Sequence, residues 1–206
     1  MPWLEAVTLR GTHATLEPLC AEHADGLALA AADGQLWRLW YTAVPEPAKV
    51  PQEIQRRLDL HKAGSMLPFA VRNAQGELVG MTTYMNVDAA NRRVEIGSTW
   101  YASRVHRTPL NTECKLMLLR HAFEKLDCIA VELRTHFMNR QSRQAIERLG
   151  AKLDGVLRSH MVLPNGSIRD TAVYSMTAAE WPAVRANLEW QLVKPRAGAG
   201  SGVQGV

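Results

Sequence analysis

The most constraining feature of this sequence is a change of hydrophobic period in its middle third. Residues 67–72, 77–87 and 92–101 are strand-like and are separated by turn-forming clusters at 73–76 and 88–91, which predicts an antiparallel meander. Residues 110–126 then place Leu116, Leu119, Phe123 and Leu126 at the spacing of one helical face. Residues 129–137 return to alternation, with Ile129, Val131 and Leu133 set against Ala130, Glu132 and Arg134. Strands that give way to a helix and then resume must share a sheet with helices packed on it.

The flanking segments extend this pattern. Residues 7–19 predict an opening strand or two short ones around Gly11, residues 21–32 a helix ended by Gly34, and residues 52–62 a short helix with Ile54 and Leu58 on one face. Between the helices, residues 35–47 are aromatic, irregular and broken by proline. Asn139 is a good N-cap for a helix over 140–149 that Gly150 stops. Residues 156–163 and 168–177 read as a strand pair around Pro164-Asn165-Gly166, and 178–192 as a last helix. The order predicts one α/β (α+β) domain over residues 1–193 with a mixed, mostly antiparallel sheet, followed by a flexible Gly-rich tail over 194–206.

Composition narrows the function. Three widely spaced cysteines, Cys20, Cys114 and Cys128, exclude a disulfide scaffold and indicate a reducing compartment. With 47% hydrophobic residues the chain can offset the ordering entropy that keeps a polar chain disordered. No run approaches the ~18–20 apolar residues of a membrane span, and residues 1–10 lack a secretory pattern, so a cytoplasmic protein without membrane contact is expected. The net charge of +4 is scattered, and no aromatics interleave with the arginines, which speaks against a nucleic-acid partner.

The serine-elbow, phosphate-loop, paired-histidine zinc and dinucleotide signatures are all absent. Chemistry without an evident nucleophile or metal points to a bound reactive cofactor and to positioning. The site-like junction is the turn between the strand ending near Tyr101 and the helix beginning near Asn111. A helix entrance favours phosphate, and Arg104, His106 and Arg107 lie in that turn.

Four stretches taken in order, VEIGSTWYA (94–102), LNTECKLMLLRHAFEKL (110–126), VELRTHFMNRQSRQAIERLGAKLDGVLRSHM (131–161) and IRDTAVYSM (168–176), resemble the GNAT acyl-CoA N-acyltransferases, specifically the RimJ/RimL-type branch. The resemblance implies that the strand over 94–102 splays from the one over 129–137, with the pantetheine of acetyl-CoA in the gap and its pyrophosphate on the turn. It implies no metal and a possible homodimer. Carried over residue by residue, it assigns cofactor contacts to Trp100, Tyr101, Ala102, Arg104, His106, Arg107, Leu110, Asn111, Thr112, Asn139, Ser142 and Arg143. The turn departs from the family pattern Gln/Arg-x-x-Gly-x-Gly/Ala: Arg104 keeps the first place, but Arg107 and Pro109 replace the glycines, and Pro109 lacks an N–H. An N-acetyltransferase acting on an amine-bearing small molecule or a protein N-terminus is therefore expected. The alternative is a protein of the same shape that binds CoA or an effector without efficient turnover.

For the chemistry, the resemblance makes Ser142 the proton donor to the departing sulfur, against a purely structural role in the first helical turn. Asn139 serves pantetheine or the N-cap alone. Glu95 and Glu132 are the candidate bases. Glu132 shares a face with Arg134, which suggests an ion pair, and the alternation of Glu95 with Val94 and Ile96 suggests an outward, solvated carboxylate. Near Met161, where some relatives carry a glutamate, the sequence is apolar. Trp37, Trp40 and Tyr41 lie where this fold builds its acceptor pocket and divide between pocket wall and core. His121 and His136 read as ordinary helix and strand residues.

Overall fold

The computed structural model describes residues 3–194; all but the first residue of the expected tail, 195–206, lies outside them. Eight strands form one sheet in the order β1-β2-β3-β4-β5-β6-β8-β7. They are β1 (Leu9–Arg10), β2 (Ala14–Pro18), β3 (Met66–Asn73), β4 (Leu78–Asp88), β5 (Arg93–Tyr101), β6 (Ala130–His136), β7 (Lys152–Val162) and β8 (Ile168–Thr177). The helices are α1 (Ala24–Ala32), α2 (Val50–Lys62), α3 (Leu110–Glu124), α4 (Arg140–Arg148) and α5 (Trp181–Val193). The expected meander is β3-β4-β5, and the opening strand is the two-strand version of its two readings.

Helices cover both faces of the sheet. Leu116, Leu119 and Phe123 of α3 and Leu188 of α5 join Val94, Ile96, Val131, Leu133 and Tyr174 in the larger core. Leu27 and Ala30 of α1 and Ile54 of α2 pack with Ala70, Met81 and Trp100 in a smaller core on the opposite side. Glu113 joins α3 to the first hairpin, accepting from the backbone N–H groups of Thr12, His13 and Ala14 at 2.9, 2.6 and 2.8 Å.

Every strand pairing is antiparallel except β5 with β6, which α3 connects as a crossover. That parallel ladder has three rungs: Arg93 with Ala130, Val94 with Val131 and Glu95 with Glu132. Beyond Glu95, β5 continues to pair with β4, and β6 continues to pair with β8. The two strands therefore part, as the resemblance implied.

A bulge lies on the free stretch of β5. Met81 and Thr83 of β4 oppose Trp100 and Gly97, so β5 carries one more residue than its partner, and Ser98 adopts φ 48°. The extra residue reverses the alternation and sends the Trp100 ring into the smaller core. Arg57 of α2, only 2% exposed, anchors the bulge: both terminal nitrogens reach the Ser98 carbonyl at 3.4 Å, Nη1 donates to Thr83 Oγ1 at 2.7 Å and Nε to Glu53 at 2.7 Å.

The boundaries that differ from expectation include those of β7 and α5. β7 begins at Lys152 rather than 156, because the ladder shifts register between Leu153 and Gly155 and the shift conceals the alternation. α5 begins at Trp181 rather than 178: residues 178–180 form a turn in which Glu180 accepts from the Thr177 N–H and hydroxyl at 2.9 Å each.

Candidate active site

The narrow end of the gap is the Glu95–Glu132 rung, and its wide end lies between the C-termini of β5 and β6, where α3 and α4 begin. Asn139 caps α4 as its residue type predicts, its Oδ1 accepting from Ser142 N–H at 3.0 Å. Ser142 sits half-buried in the first turn. At the start of α3 the cap is weak, Leu110 N–H reaching Thr108 Oγ1 at 3.4 Å, and the Asn111 side-chain carbonyl is buried without a partner.

The turn entering α3 keeps the path that glycine would allow. Arg107 adopts φ 60°, the left-handed region that glycine enters without strain, and Pro109 occupies the N-cap of α3 at φ −61°, a dihedral its ring favours. Arg104 braces the turn: its N–H and its Nη1 bind Asp33 Oδ2 at 3.1 and 3.2 Å. His106 Nε2 contacts the Tyr101 carbonyl at 3.0 Å. Arg107 is exposed.

The other residues assigned to the cofactor divide by position. Trp100 lies in the smaller core with its indole N–H unpartnered, and Tyr101 and Leu110 lie in the larger core. Ala102 is buried, its N–H donating to the Val79 carbonyl at 2.8 Å, and Thr112 accepts from Arg148 of α4 at 3.2 Å. Arg143 donates to the Tyr174 hydroxyl at 2.9 Å and stacks its guanidinium 4.6 Å from the Phe137 ring centroid, beside an open depression of about 250 Å³.

The two candidate bases occupy opposite electrostatic situations. Glu132 is clamped: Arg93 donates to Oε1 at 2.6 Å and Arg134 binds Oε2 through Nε and Nη2 at 3.0 and 2.7 Å. Despite the cost of burial, these arginines hold its carboxyl below the ordinary value. Glu95 is not the solvated carboxylate that its alternation suggested. It is 6% exposed, because the face opposite Val94 and Ile96 is also covered, and burial outweighs the Asn86 amide at 2.7 Å and Arg134 at 3.5 Å to raise its pKa. Gly97 gives it room, since a Cβ there would lie 2.8 Å from Glu95 Oε1.

At the wide end of the gap the aromatics meet a residue that residue-type statistics set aside. Trp40 and Tyr41 place their rings 5.1 and 6.4 Å from the imidazole of His136, the last residue of β6. Trp37 is half-buried in the one-turn segment Leu36–Arg38. His136 is 4% exposed, and burial pushes its pKa down. The signal for it was in the sequence: Glu132, Arg134 and His136 fall on one strand face. Arg57 and Lys115 were also missed. Lys115 is buried in α3 with its ammonium on Thr99 Oγ1 at 2.9 Å, and its pKa is pushed down to about 8 by burial.

Among the described residues no helix is long and apolar enough to cross a membrane, and no group of three or more His, Cys, Asp or Glu is placed to hold a metal. Residues 13–152 match the family model "Acetyltransferase (GNAT) domain". A Bacillus subtilis (strain 168) protein named "Putative ribosomal N-acetyltransferase YdaF" is 33% identical over 106 residues, 52% of this chain and 57% of that relative, so the match spans little more than half its length. The crystal structure of a GCN5-related N-acetyltransferase from Brucella melitensis superposes with TM-score 0.84 at 32% identity, covering 97% of this chain and 92% of that one. Mycobacterium smegmatis RimJ in complex with CoA-disulfide shares the fold at TM-score 0.75 and 23% identity, covering 90% of this chain and 93% of that one.

Proposed function

Because this chain belongs to the GNAT acetyltransferase family, we propose that it moves an acetyl group from acetyl-CoA to a primary amine, on a protein N-terminus, an amino acid or a small metabolite, by direct transfer in a ternary complex. The observation that carries the reading is the parting of β5 from β6 after the Glu95–Glu132 rung, beside the entrances of two helices. Acetyl-CoA supplies the activated acyl group as a thioester.

The residues present suit such a group. β5 beyond Glu95 has backbone groups on the β6 side that the ladder does not use. The orphaned Asn111 carbonyl calls for a donor from outside the chain, and the α3 entrance with Arg107 favours phosphate. Arg104 and His106 hold the shape of that turn through Asp33 and Tyr101. The Asn139 cap fixes Ser142.

Each reacting proton then has a candidate on this chain. Glu95, with its raised pKa and an oxygen beside Gly97, takes the proton of the incoming ammonium through water. Glu132, its lone pairs engaged by Arg93 and Arg134, holds Arg134 in place beside Glu95. The Ser142 hydroxyl, in the first turn of α4, gives a proton to the departing sulfur and regains one from the amine nitrogen, which loses its second proton as the tetrahedral adduct collapses to the amide.

Thermal unfolding with acetyl-CoA and thiol release across an amine panel test the reading. A ligand at ~100 times its Kd adds ~2.7 kcal/mol, a clear rise in Tm, and at least one amine should release CoA thiol. No rise at millimolar acetyl-CoA contradicts both enzyme and CoA binder; a rise with no thiol release from any amine favours the non-catalytic binder.

A further inference from the structure

His136 carries a hydrogen-bond donor without an acceptor. The Met138 N–H donates to its Nδ1 at 3.0 Å, so that nitrogen is unprotonated and the proton of the neutral ring sits on Nε2. Nε2 is buried with no hydrogen-bond partner. Such orphans are rare in native interiors and call for an explanation. Packed against the imidazole are Trp40, a residue 50% exposed in the irregular connection between α1 and α2, and Tyr41. An incoming molecule can displace a half-exposed ring more readily than a strand.

The surroundings supply more donors. Thr171 of β8 is the direct partner of His136 across the antiparallel ladder, so the two side chains share a face. Arg169, two residues away on the same face, donates through Nε to Thr171 Oγ1 at 2.9 Å, and its positive charge is felt at both His136 and Glu95. His160 of β7 contacts Thr171 Oγ1 at 3.0 Å. This end of the site thus presents an imidazole N–H beside two aromatic rings and a guanidinium two residues along β8, with the Glu95 carboxylate further along the same face. Donors of this kind match an oxygen, and the carboxylate matches an ammonium.

We propose that His136 is a specificity-determining residue whose Nε2–H binds a carbonyl or carboxylate oxygen on the carbon next to the amine-bearing carbon of the acceptor, with Arg169 supporting it and Trp40 and Tyr41 as walls. The proposal rests on the acetyltransferase reading above. A plain alkylamine of the same shape leaves the imidazole unpaired and is discriminated against, as happens in any site built around a buried hydrogen bond.

Glycinamide and its oxygen-free isostere isobutylamine are the probes. With acetyl-CoA, the wild-type protein should prefer glycinamide by at least about tenfold in kcat/KM. His136→Phe keeps a ring between Trp40 and Tyr41 but removes the donor; it should raise KM for glycinamide about tenfold, leave kcat and the isobutylamine KM unchanged, and leave the acetyl-CoA Kd unchanged, while His136→Gln restores part of the preference. Glycinamide is also the less basic amine and keeps a larger free-base fraction near neutral pH, so the change in preference is the readout: a preference undiminished in His136→Phe, or equal damage to both amines, overturns the proposal and reduces the imidazole to an N–H directed at its aromatic neighbours. Nitrogen NMR of histidine-labelled, CoA-saturated protein separates this from a failure of the acetyltransferase reading. A shift of the His136 Nε2 signal on adding glycinamide, absent with isobutylamine, supports the assignment even where no thiol is released; no shift contradicts it even where the enzyme is active.

Discussion

Glu95 and Glu132 face each other across the last rung of the parallel ladder, yet burial raises the pKa of one and two arginines depress that of the other. The pairing places a carboxylate whose charge is penalised by burial beside a clamped one where the strands separate. Environments that push two titratable groups apart in this way are how a fold assigns acid–base roles.

Glu95→Gln should lower kcat by about a hundredfold or more and remove the acidic limb of the pH–rate profile. The base works ionised, so wild-type activity should rise with pH through a pKa above the ordinary glutamate value of 4.5. The stability effect has the opposite sign. A raised folded-state pKa means that the folded protein holds this proton more tightly than the unfolded chain, so stability falls as pH rises through it. At neutral pH Glu95→Gln should therefore raise Tm, by about 2–4 °C if the gain is about 1 kcal/mol. Kinetics and calorimetry on the same variant check both signs, and a loss of both activity and stability would remove the base assignment.

Ser142→Ala should lower kcat by about tenfold to a hundredfold with little change in the acetyl-CoA Kd, because the backbone N–H, not the hydroxyl, serves the Asn139 cap. Steady-state kinetics beside calorimetric titration decides it; unchanged turnover removes the hydroxyl from the chemistry.

Arg107→Gly and Arg107→Ala make an informative pair. Both remove the same guanidinium, so both should weaken acetyl-CoA binding and flatten its salt dependence equally. At φ 60°, however, glycine fits and alanine is strained, so the glycine variant should be about 1 kcal/mol more stable than the alanine variant in denaturant unfolding.

Arg57→Met removes the anchor of the Ser98 bulge. Breaking a buried ion pair of this kind costs about 3 kcal/mol, even though Glu53 keeps Arg56 at 2.7 Å. A stable Arg57→Met protein with an unaltered acetyl-CoA Kd would show that the bulge does not position the cofactor strand.

Lys115→Met should stabilise the protein at neutral pH, on the order of 1–3 kcal/mol, because the buried ammonium is penalised with only Thr99 to receive it. The folded-state pKa of about 8 lies below the ordinary 10.5, so the penalty is complete below about 8 and fades as pH rises toward 10.5. Urea midpoints of wild type and variant at neutral and alkaline pH should converge; a constant difference would deny the burial cost.

Much of this architecture could be read in the sequence, for identifiable reasons. The α3 face at Leu116, Leu119 and Phe123 and the Asn139 cap follow local rules that tertiary context left intact. The parting of β5 and β6 does not follow from any period; it was carried by the resemblance, because pairing partners are chosen by the whole sheet. The burial of Glu95 was hidden because alternation separates two faces without saying that both are covered. The bulge has no residue marker, Ser98 taking a conformation more typical of glycine, so the inward turn of Trp100 was equally hidden. His136 needed only its period-two neighbours Glu132 and Arg134 to be placed on the site face.

Amide hydrogen exchange with and without acetyl-CoA tests the slot most directly. The backbone of Ile96 to Tyr101, which the β6 ladder leaves unpaired on one side, and the turn over 102–112 should become slower to exchange when acetyl-CoA is added, with β1 and β2 unchanged. Saturating acetyl-CoA that leaves 96–112 exchanging as before, or that protects a different part of the molecule, would contradict a cofactor held between the parted strands.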